Sequence, residues 1–394
     1  MAHLPLAPDD EAAWSEIARH WSFTPGITFL NHGSFGAAPR PVFEARQKLL
    51  DELNRDPVHF FFRVMQPALA EVRRRLGALL NVPGDDLALV ENATVAMNAV
   101  ARSVPLAAGD EVLTTNHEYG AVTRIWQRTC ERSGARLVTR ELPSPLGDVA
   151  ACVDAIFAGA TERTRLLVFS HVTSPTAVVL PAAAICRRAR ALGIATCIDG
   201  PHALVTEAVD LAALDCDYYT ASCHKWLLTP VGAGMLYVHP RVQSTIQPAI
   251  ISWGRTLGQD PSWRDEFNWT GTRDPTPLLC IPAALDFLST IGIEAFRRRT
   301  HCLAQLARRR ITALTGLPAL VPDDRTWYGS MIALPLPPGA AASLQDALWE
   351  QFRIEAPIFD WQGRRLVRVS CQMYTNPDDI ERLTKALAGM LSLT

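Results

Sequence analysis

Between about residue 85 and residue 240, apolar runs of strand length alternate with longer amphipathic stretches, and no other feature restricts the fold as tightly. "DLALV", "EVLTTN", "ARLVTRE", "RLLVFSH" and "IATCID" have the length and β-branched content of strands. "TVAMNAVARSV", "YGAVTRIWQRTCERSG" and "PAAAICRRARALG" carry helical periodicity. Strands separated by helices build a mostly parallel sheet covered by helices on both faces, so the expected class is α/β. Ligands on such sheets bind at the carboxyl ends of the strands.

Upstream, "PRPVFEARQKLLDELNRDP" and "QPALAEVRRRLGALLN" read as two amphipathic helices, the first opened by Pro41. Beyond about residue 275 the pattern changes to long helices around 276–292 and 294–315. Strands at "SMIALPL", "FRIEAP" and "RRLVRVS" follow, then a closing helix from Asn376 to Leu391. This suits a smaller α+β C-terminal domain, and the expected division is 1–30 as an N-terminal segment, 31–275 as the large domain and 276–394 as the small one. Basic and acidic side chains nearly cancel, 38 against 40, so no global charge favours nucleic acid or a membrane surface. Clusters such as Arg297-Arg298-Arg299 fall on helices and read as solvated faces. The first residues lack a basic start followed by an apolar run, and no apolar segment approaches the roughly 18 residues of a membrane span. Nine cysteines without CxxC spacing argue for a reducing compartment, with neither a disulfide framework nor a metal site. A cytoplasmic location is expected.

Within "YYTASCHKWLLTPVGAGMLYV", two buried-looking strands joined by a glycine-bearing turn, stands Lys225. A lysine there needs a reason, because an ammonium is costly to take out of water unless paired, neutralised or covalently bound. Asp199, at the end of "IATCID", would face the same crevice, although a salt bridge or a helix cap explains a carboxylate there equally well. In "VENATVAMNAV", Asn92, Ala93 and Thr94 fall at a helix N-terminus, where free N–H groups and the helix dipole favour a phosphate. Phosphate cradle, carboxylate and lysine together suit pyridoxal 5′-phosphate (PLP), whose phosphate, ring nitrogen and aldehyde ask for those three groups. G-x-G-x-x-G, G-x-x-x-x-G-K-[ST] and H-E-x-x-H are all missing from the sequence.

With those residues in place, the chain resembles the class V aminotransferase superfamily of fold-type I PLP enzymes, and within it the isopenicillin N epimerase-like group. The resemblance runs from about residue 28 to the end, through "FLNHGSFGAAPRPV", "ENATVAMNAV", "NHEYGAV", "SHVTSPTAVVLP", "CIDGPHAL", "SCHKWL", "WTGTRDPT" and "RVS". It implies a large domain with a mostly parallel seven-stranded sheet. It further implies that Lys225 bonds the cofactor aldehyde and later shuttles the Cα proton, that Asp199 pairs with the ring nitrogen, and that His202 approaches the phenolic oxygen with Ser174 nearby. Tyr119 would lie on the cofactor face, and Ala93, Thr94, Ser222 and His224 would hold the phosphate, joined across a homodimer interface by Thr272. Arg368 would grip the substrate's α-carboxylate, with Asn31 and His32 lining the entrance. Ala177 stands where the group usually has glycine.

Cα deprotonation is common to epimerisation, transamination and β-elimination, and epimerisation needs a second acid/base on the opposite face, for which His32, Tyr119 and His117 are candidates. A cysteine desulfurase needs a mobile nucleophilic thiol, and "DDRTWYGSMIALP" contains none; Cys223 and Cys371 read as buried free thiols. The sequence points to a PLP enzyme acting at Cα of an amino acid or a derivative of one, epimerase-like, with C–S lyase or aminotransferase as alternatives and a non-catalytic module disfavoured. Trp253, Trp263 and Trp269 either wall the pocket or pack a dimer interface.

Overall fold

The computed structural model of the chain describes residues 6–254 and 262–391. Its strands are β1 (Thr28–Phe29), β2 (Leu87–Val90), β3 (Glu111–Thr115), β4 (Arg136–Arg140), β5 (Thr164–Ser170), β6 (Ala195–Asp199), β7 (Tyr218–Ser222) and β8 (Gly234–Val238), followed by β9 (Met331–Leu336), β10 (Ile354–Glu355), β11 (Ile358–Trp361) and β12 (Arg364–Ser370). Seven of them form one sheet in the order β2-β8-β7-β6-β5-β3-β4, and only β8 runs against its neighbours. Since β8 is antiparallel to both β2 and β7, β2 points the same way as the parallel strands, and the carboxyl ends of β2, β7, β6, β5 and β3 share one rim.

Burial on both faces is written into alternate residues. Along β5, Leu166 and Val168 enter one apolar core while Leu167 and Phe169 enter the other; Val112 and Leu113 of β3 divide in the same way. Successive strand side chains point to opposite faces, so a strand covered on both sides must be apolar throughout. The helices Ala93–Ser103 and Gly120–Ser133 cover one face with Met97, Val100, Val122 and Trp126.

The C-terminal strands β11-β12-β9 form a separate antiparallel sheet, backed by the helix Ile293–Thr315. The segment "FRIEAP" behaves differently from the expected sheet strand: only Ile354–Glu355 is extended, and it pairs in parallel with β1 near the N-terminus. Arg353 turns the chain through the left-handed region at φ 54°, and Pro357 has no N–H to donate, so the run cannot continue into β11. Elements that escape the sequence reading include β1, β11 and the helices Val149–Phe157, Glu11–Ala18 and Ala341–Phe352. The first of these helices was announced by Asp148, whose side chain caps it by accepting from the Ala151 N–H at 2.9 Å. Among the described residues, no single helix is long and apolar enough to cross a membrane.

Candidate active site

The shared rim opens into a cavity of about 590 Å³, within the range that holds a cofactor or a drug-sized ligand. At its β2 side, Asn92 caps the helix Ala93–Ser103 by accepting from the Val95 N–H at 3.0 Å, and the Ala93 N–H donates to Ser222 Oγ at 3.0 Å. The helix start thus sits against the end of β7, and the two close so tightly that a Cβ on Gly234 would come within 2.7 Å of the Asn92 Cα. Only glycine allows this approach. His224, which also lines the cavity, has a buried Nδ1 without a partner among the described residues. The positive end of the helix, the hydroxyls of Thr94 and Ser222 and an unpartnered imidazole nitrogen fit an anion such as the PLP phosphate.

Lys225 rises from the β7–β8 turn into the same cavity, with Nζ 3.3 Å from His202 Nε2. Burial lowers its pKa to about 8; Arg368 pushes the same way, and Asp199 opposes. Asp199 ends β6 with its carboxylate accepting from Thr220 Oγ1 at 3.0 Å, and burial raises it to about 6. His202, three residues on, is held well below the ordinary imidazole range by burial, then by Lys225 and Arg368. The turn carrying Lys225 is braced from below. His32 Nε2 meets the Lys225 carbonyl at 2.9 Å, and a Cβ on Gly36 would strike the carbonyls of both His224 and Lys225.

Arg368, on β12, reaches the cavity from the smaller sheet and is 3% exposed. It donates to the Ser174 carbonyl at 2.7 Å, to Ser34 Oγ at 2.8 Å and to Asn31 Oδ1 at 3.5 Å, and it lies over the Phe359 ring. Its partners among the described residues are all neutral, and Nε has none. A buried guanidinium so placed is a ready receptor for a carboxylate.

Of the residues singled out in the sequence, the cavity wall brings together Ala93, Thr94, Tyr119, Ser174, Asp199, His202, Ser222, His224, Lys225 and Arg368. It leaves out three. Asn31 lies behind Arg368 and donates to Glu355 at 3.0 Å. His32 is fully buried with both ring nitrogens engaged, Nδ1 by the Tyr374 hydroxyl at 2.9 Å and Nε2 by the lysine turn, so it supports the floor instead of lining an entrance. Thr272 is exposed and outside this cavity. His117 is also withdrawn from the wall, with Nδ1 bonded to Thr176 Oγ1 at 2.7 Å. Trp253 and Trp269 line a second, largely apolar depression with Phe61 and Phe62, while Trp263 packs edge-on against Phe267. Residues 255–261 of that tryptophan-bearing stretch lie outside the described residues.

Among the wall residues that the sequence reading missed are Glu118, Phe359, Trp361 and Ser34. Glu118 follows β3 as Asp199 ends β6, and a carboxylate at a strand's carboxyl end was a signal available for both. It accepts from Thr115 Oγ1 and Ser170 Oγ, each at 2.6 Å, and burial raises its pKa to about 7. Phe359 and Trp361 come from the overlooked β11, and Ser34 from the glycine-rich turn. Ala177 takes the left-handed conformation at φ 55°, the geometry that favours glycine at its position. Cys223 and Cys371 are fully buried, and burial pushes the Cys223 thiol up to about 12.

Comparison with known proteins identifies the family. The chain is 40% identical over 390 residues to isopenicillin N epimerase of Amycolatopsis lactamdurans, covering 95% of this chain and 98% of that one. It is 38% identical to isopenicillin N epimerase of Streptomyces clavuligerus, covering 96% and 98%. Among solved structures, the cystine C–S lyase C-DES, in complex with its reaction product cysteine persulfide, superposes with a TM-score of 0.81 at 22% identity. That match covers 92% of this chain and 98% of that one, and another structure of the lyase has glycine covalently linked to the PLP cofactor. The family model for aminotransferase class-V matches residues 30–383, and the chain therefore belongs to the aminotransferase class-V family.

Proposed function

We propose that this chain is an epimerase-like enzyme acting at Cα of an amino acid or of an amide built from one. Like its family it is a PLP enzyme. When bound, PLP supplies an aldehyde that joins amino groups and a conjugated ring that accepts the electron pair left when a Cα bond breaks. The observation that carries the reading is a buried guanidinium whose partners among the described residues are all neutral, Arg368, opening into the same cavity as a lysine whose pKa is lowered to about 8.

Arg368 holds the substrate's α-carboxylate in its planar fork and so fixes which Cα bond faces the ring. Lys225, with an amine that is partly neutral near pH 7, takes and returns the Cα proton. With PLP bound, Asp199 would hold a proton on the ring nitrogen, His202 with Ser174 would serve the phenolic oxygen, and Ala93, Thr94, Ser222 and His224 would hold the phosphate. Tyr119, also on the cavity wall, would lie on the cofactor face and serve as the second acid/base. It follows β3, whereas Lys225 follows β7, and β6 and β5 lie between them in the sheet, so the two side chains enter from opposite flanks of Asp199.

We further propose a cytoplasmic homodimer. Exposed Phe62, Ile251 and Trp253 form an apolar surface suited to a second copy, and Thr272 would complete the partner's phosphate site. The expected division at residues 30 and 275 is kept on the same footing. Elimination of an S-substituted cysteine is the second reading, because it asks for no protein thiol and no cysteine lines the cavity among the described residues. Incubating holoenzyme with candidate amino acids in D₂O separates the outcomes. Deuterium at Cα with inversion supports the epimerase; pyruvate with ammonia, or a keto acid, replaces it with lyase or aminotransferase.

A further inference from the structure

Trp226 is fully buried one residue after the lysine, and no role given so far uses its indole N–H. That N–H points at His202 Nδ1 at 3.4 Å, while His202 Nε2 lies 3.3 Å from Lys225 Nζ. An indole nitrogen can only donate. Nδ1 must therefore present its lone pair, and the ring proton of neutral His202 sits on Nε2. Nε2–H can in turn donate to the lysine nitrogen only when that amine is neutral. A protonated His202 would turn a second N–H toward the indole and a positive charge toward Lys225.

We propose that Trp226 is a positioning residue that fixes His202 as the Nε2–H tautomer and thereby holds Lys225 as the neutral, nucleophilic amine. The inference rests on PLP as the cofactor and is independent of which reaction follows. Each of the other charged or titratable groups around the lysine acts on it in a known sense. Arg368 from β12 disfavours its protonation, Asp199 from β6 favours it, and the neighbouring imidazoles His32 and His224 are themselves pushed down by it. None of these groups selects between the two His202 tautomers, because none is bonded to its Nδ1. Condensation of the amine with the cofactor aldehyde forms one C=N bond and releases one water, and it needs the nitrogen lone pair free. The tautomer therefore controls how readily the cofactor is captured.

The direct test is ¹⁵N NMR of the His202 ring in cofactor-free wild-type protein, assigned by comparison with His202→Gln. A protonated Nε2 and an unprotonated Nδ1 are expected; the reverse pattern overturns the proposal whatever the enzyme's activity. The second test follows the visible band as PLP is added to the apoenzyme across pH. In Trp226→Phe the Nδ1–H tautomer becomes allowed, Nε2 accepts from the lysine ammonium, and the inflection moves up by roughly half to one pH unit. Capture near pH 7 then slows by roughly three- to tenfold, in proportion to the neutral amine. In a His202→Gln background, where the amide can rotate to donate or accept, Trp226→Phe is expected to leave the inflection in place. An equal displacement in both backgrounds would assign Trp226 to packing alone. Should Trp226→Phe fail to fold, the wild-type NMR pattern decides the matter.

Discussion

Arg368→Met should make the cofactor-free protein more stable while removing substrate recognition. Burial lowers the guanidinium pKa to about 10, and the gap from the ordinary arginine range corresponds to about 3 kcal/mol. The sign follows from linkage. The folded state disfavours the charged form, so the full penalty applies at every pH well below 10. Methionine fills most of the same volume and removes that penalty, but it forfeits the donations to the Ser174 carbonyl at 2.7 Å and Ser34 Oγ at 2.8 Å, at about 1 kcal/mol each. The balance is about 1 kcal/mol in favour of the variant, a melting temperature higher by about 1–2 °C for a chain of this size. Loss of a bidentate charge-assisted grip on a carboxylate should reduce kcat/KM by about 10²–10³. Thermal melts of apo protein and initial rates of Cα deuterium exchange measure the two effects. An Arg368→Met protein that melts several degrees lower and exchanges with an unchanged KM would show that the guanidinium is a structural strut.

Lys225→Ala should still bind PLP through the phosphate groups but lack the pH-sensitive visible band of the wild type, as a spectrophotometric titration would record. Ala177→Gly relieves a left-handed alanine, worth about 1–2 kcal/mol, against a gain in unfolded-state freedom of about 0.4–1 kcal/mol, so urea melts should show the variant equal or more stable by up to about 1.5 kcal/mol. Glu118 has its pKa raised by burial to about 7, so its contribution to apo stability is complete below the unfolded carboxyl range near pH 4.5 and is lost as pH rises through 7. Glu118→Gln should flatten the stability of the apoenzyme over that interval by on the order of 2–3 kcal/mol, read from denaturant midpoints at successive pH values. His32 and His117, with pKa values lowered to about 4, act in the opposite sense, since their stabilisation is present above pH 6.5 and is lost as pH falls toward 4. Acid unfolding should accordingly be displaced to lower pH in His117→Phe.

Much of the molecule was legible in the chain because its signals are local. The alternation of buried runs and amphipathic helices announces a covered parallel sheet, since a strand facing two cores needs apolar residues of both parities, as Val112 and Leu113 of β3 and Leu166 to Phe169 of β5 provide. A lysine and an aspartate in such runs are conspicuous because burial of charge is costly, and that cost exposed Lys225 and Asp199 without any coordinates. Local signals are weaker where a residue's partner is far along the chain. His32 lies in a glycine-rich turn that reads as a pocket entrance, yet it bonds the carbonyl of a lysine 193 positions later. β10 was indistinguishable from an ordinary sheet strand until its pairing with β1 was seen. Sequence alone determined the class of fold and the cofactor and singled out the lysine proposed here as the reactive amine, because periodicity and the cost of buried charge act residue by residue. Only the tertiary structure decided that the Trp226 indole N–H meets Nδ1 of His202, that Arg368 has no acidic partner among the described residues, and that Glu118 and Trp361 share the wall. Each of those depends on distances between segments that the chain brings together only on folding.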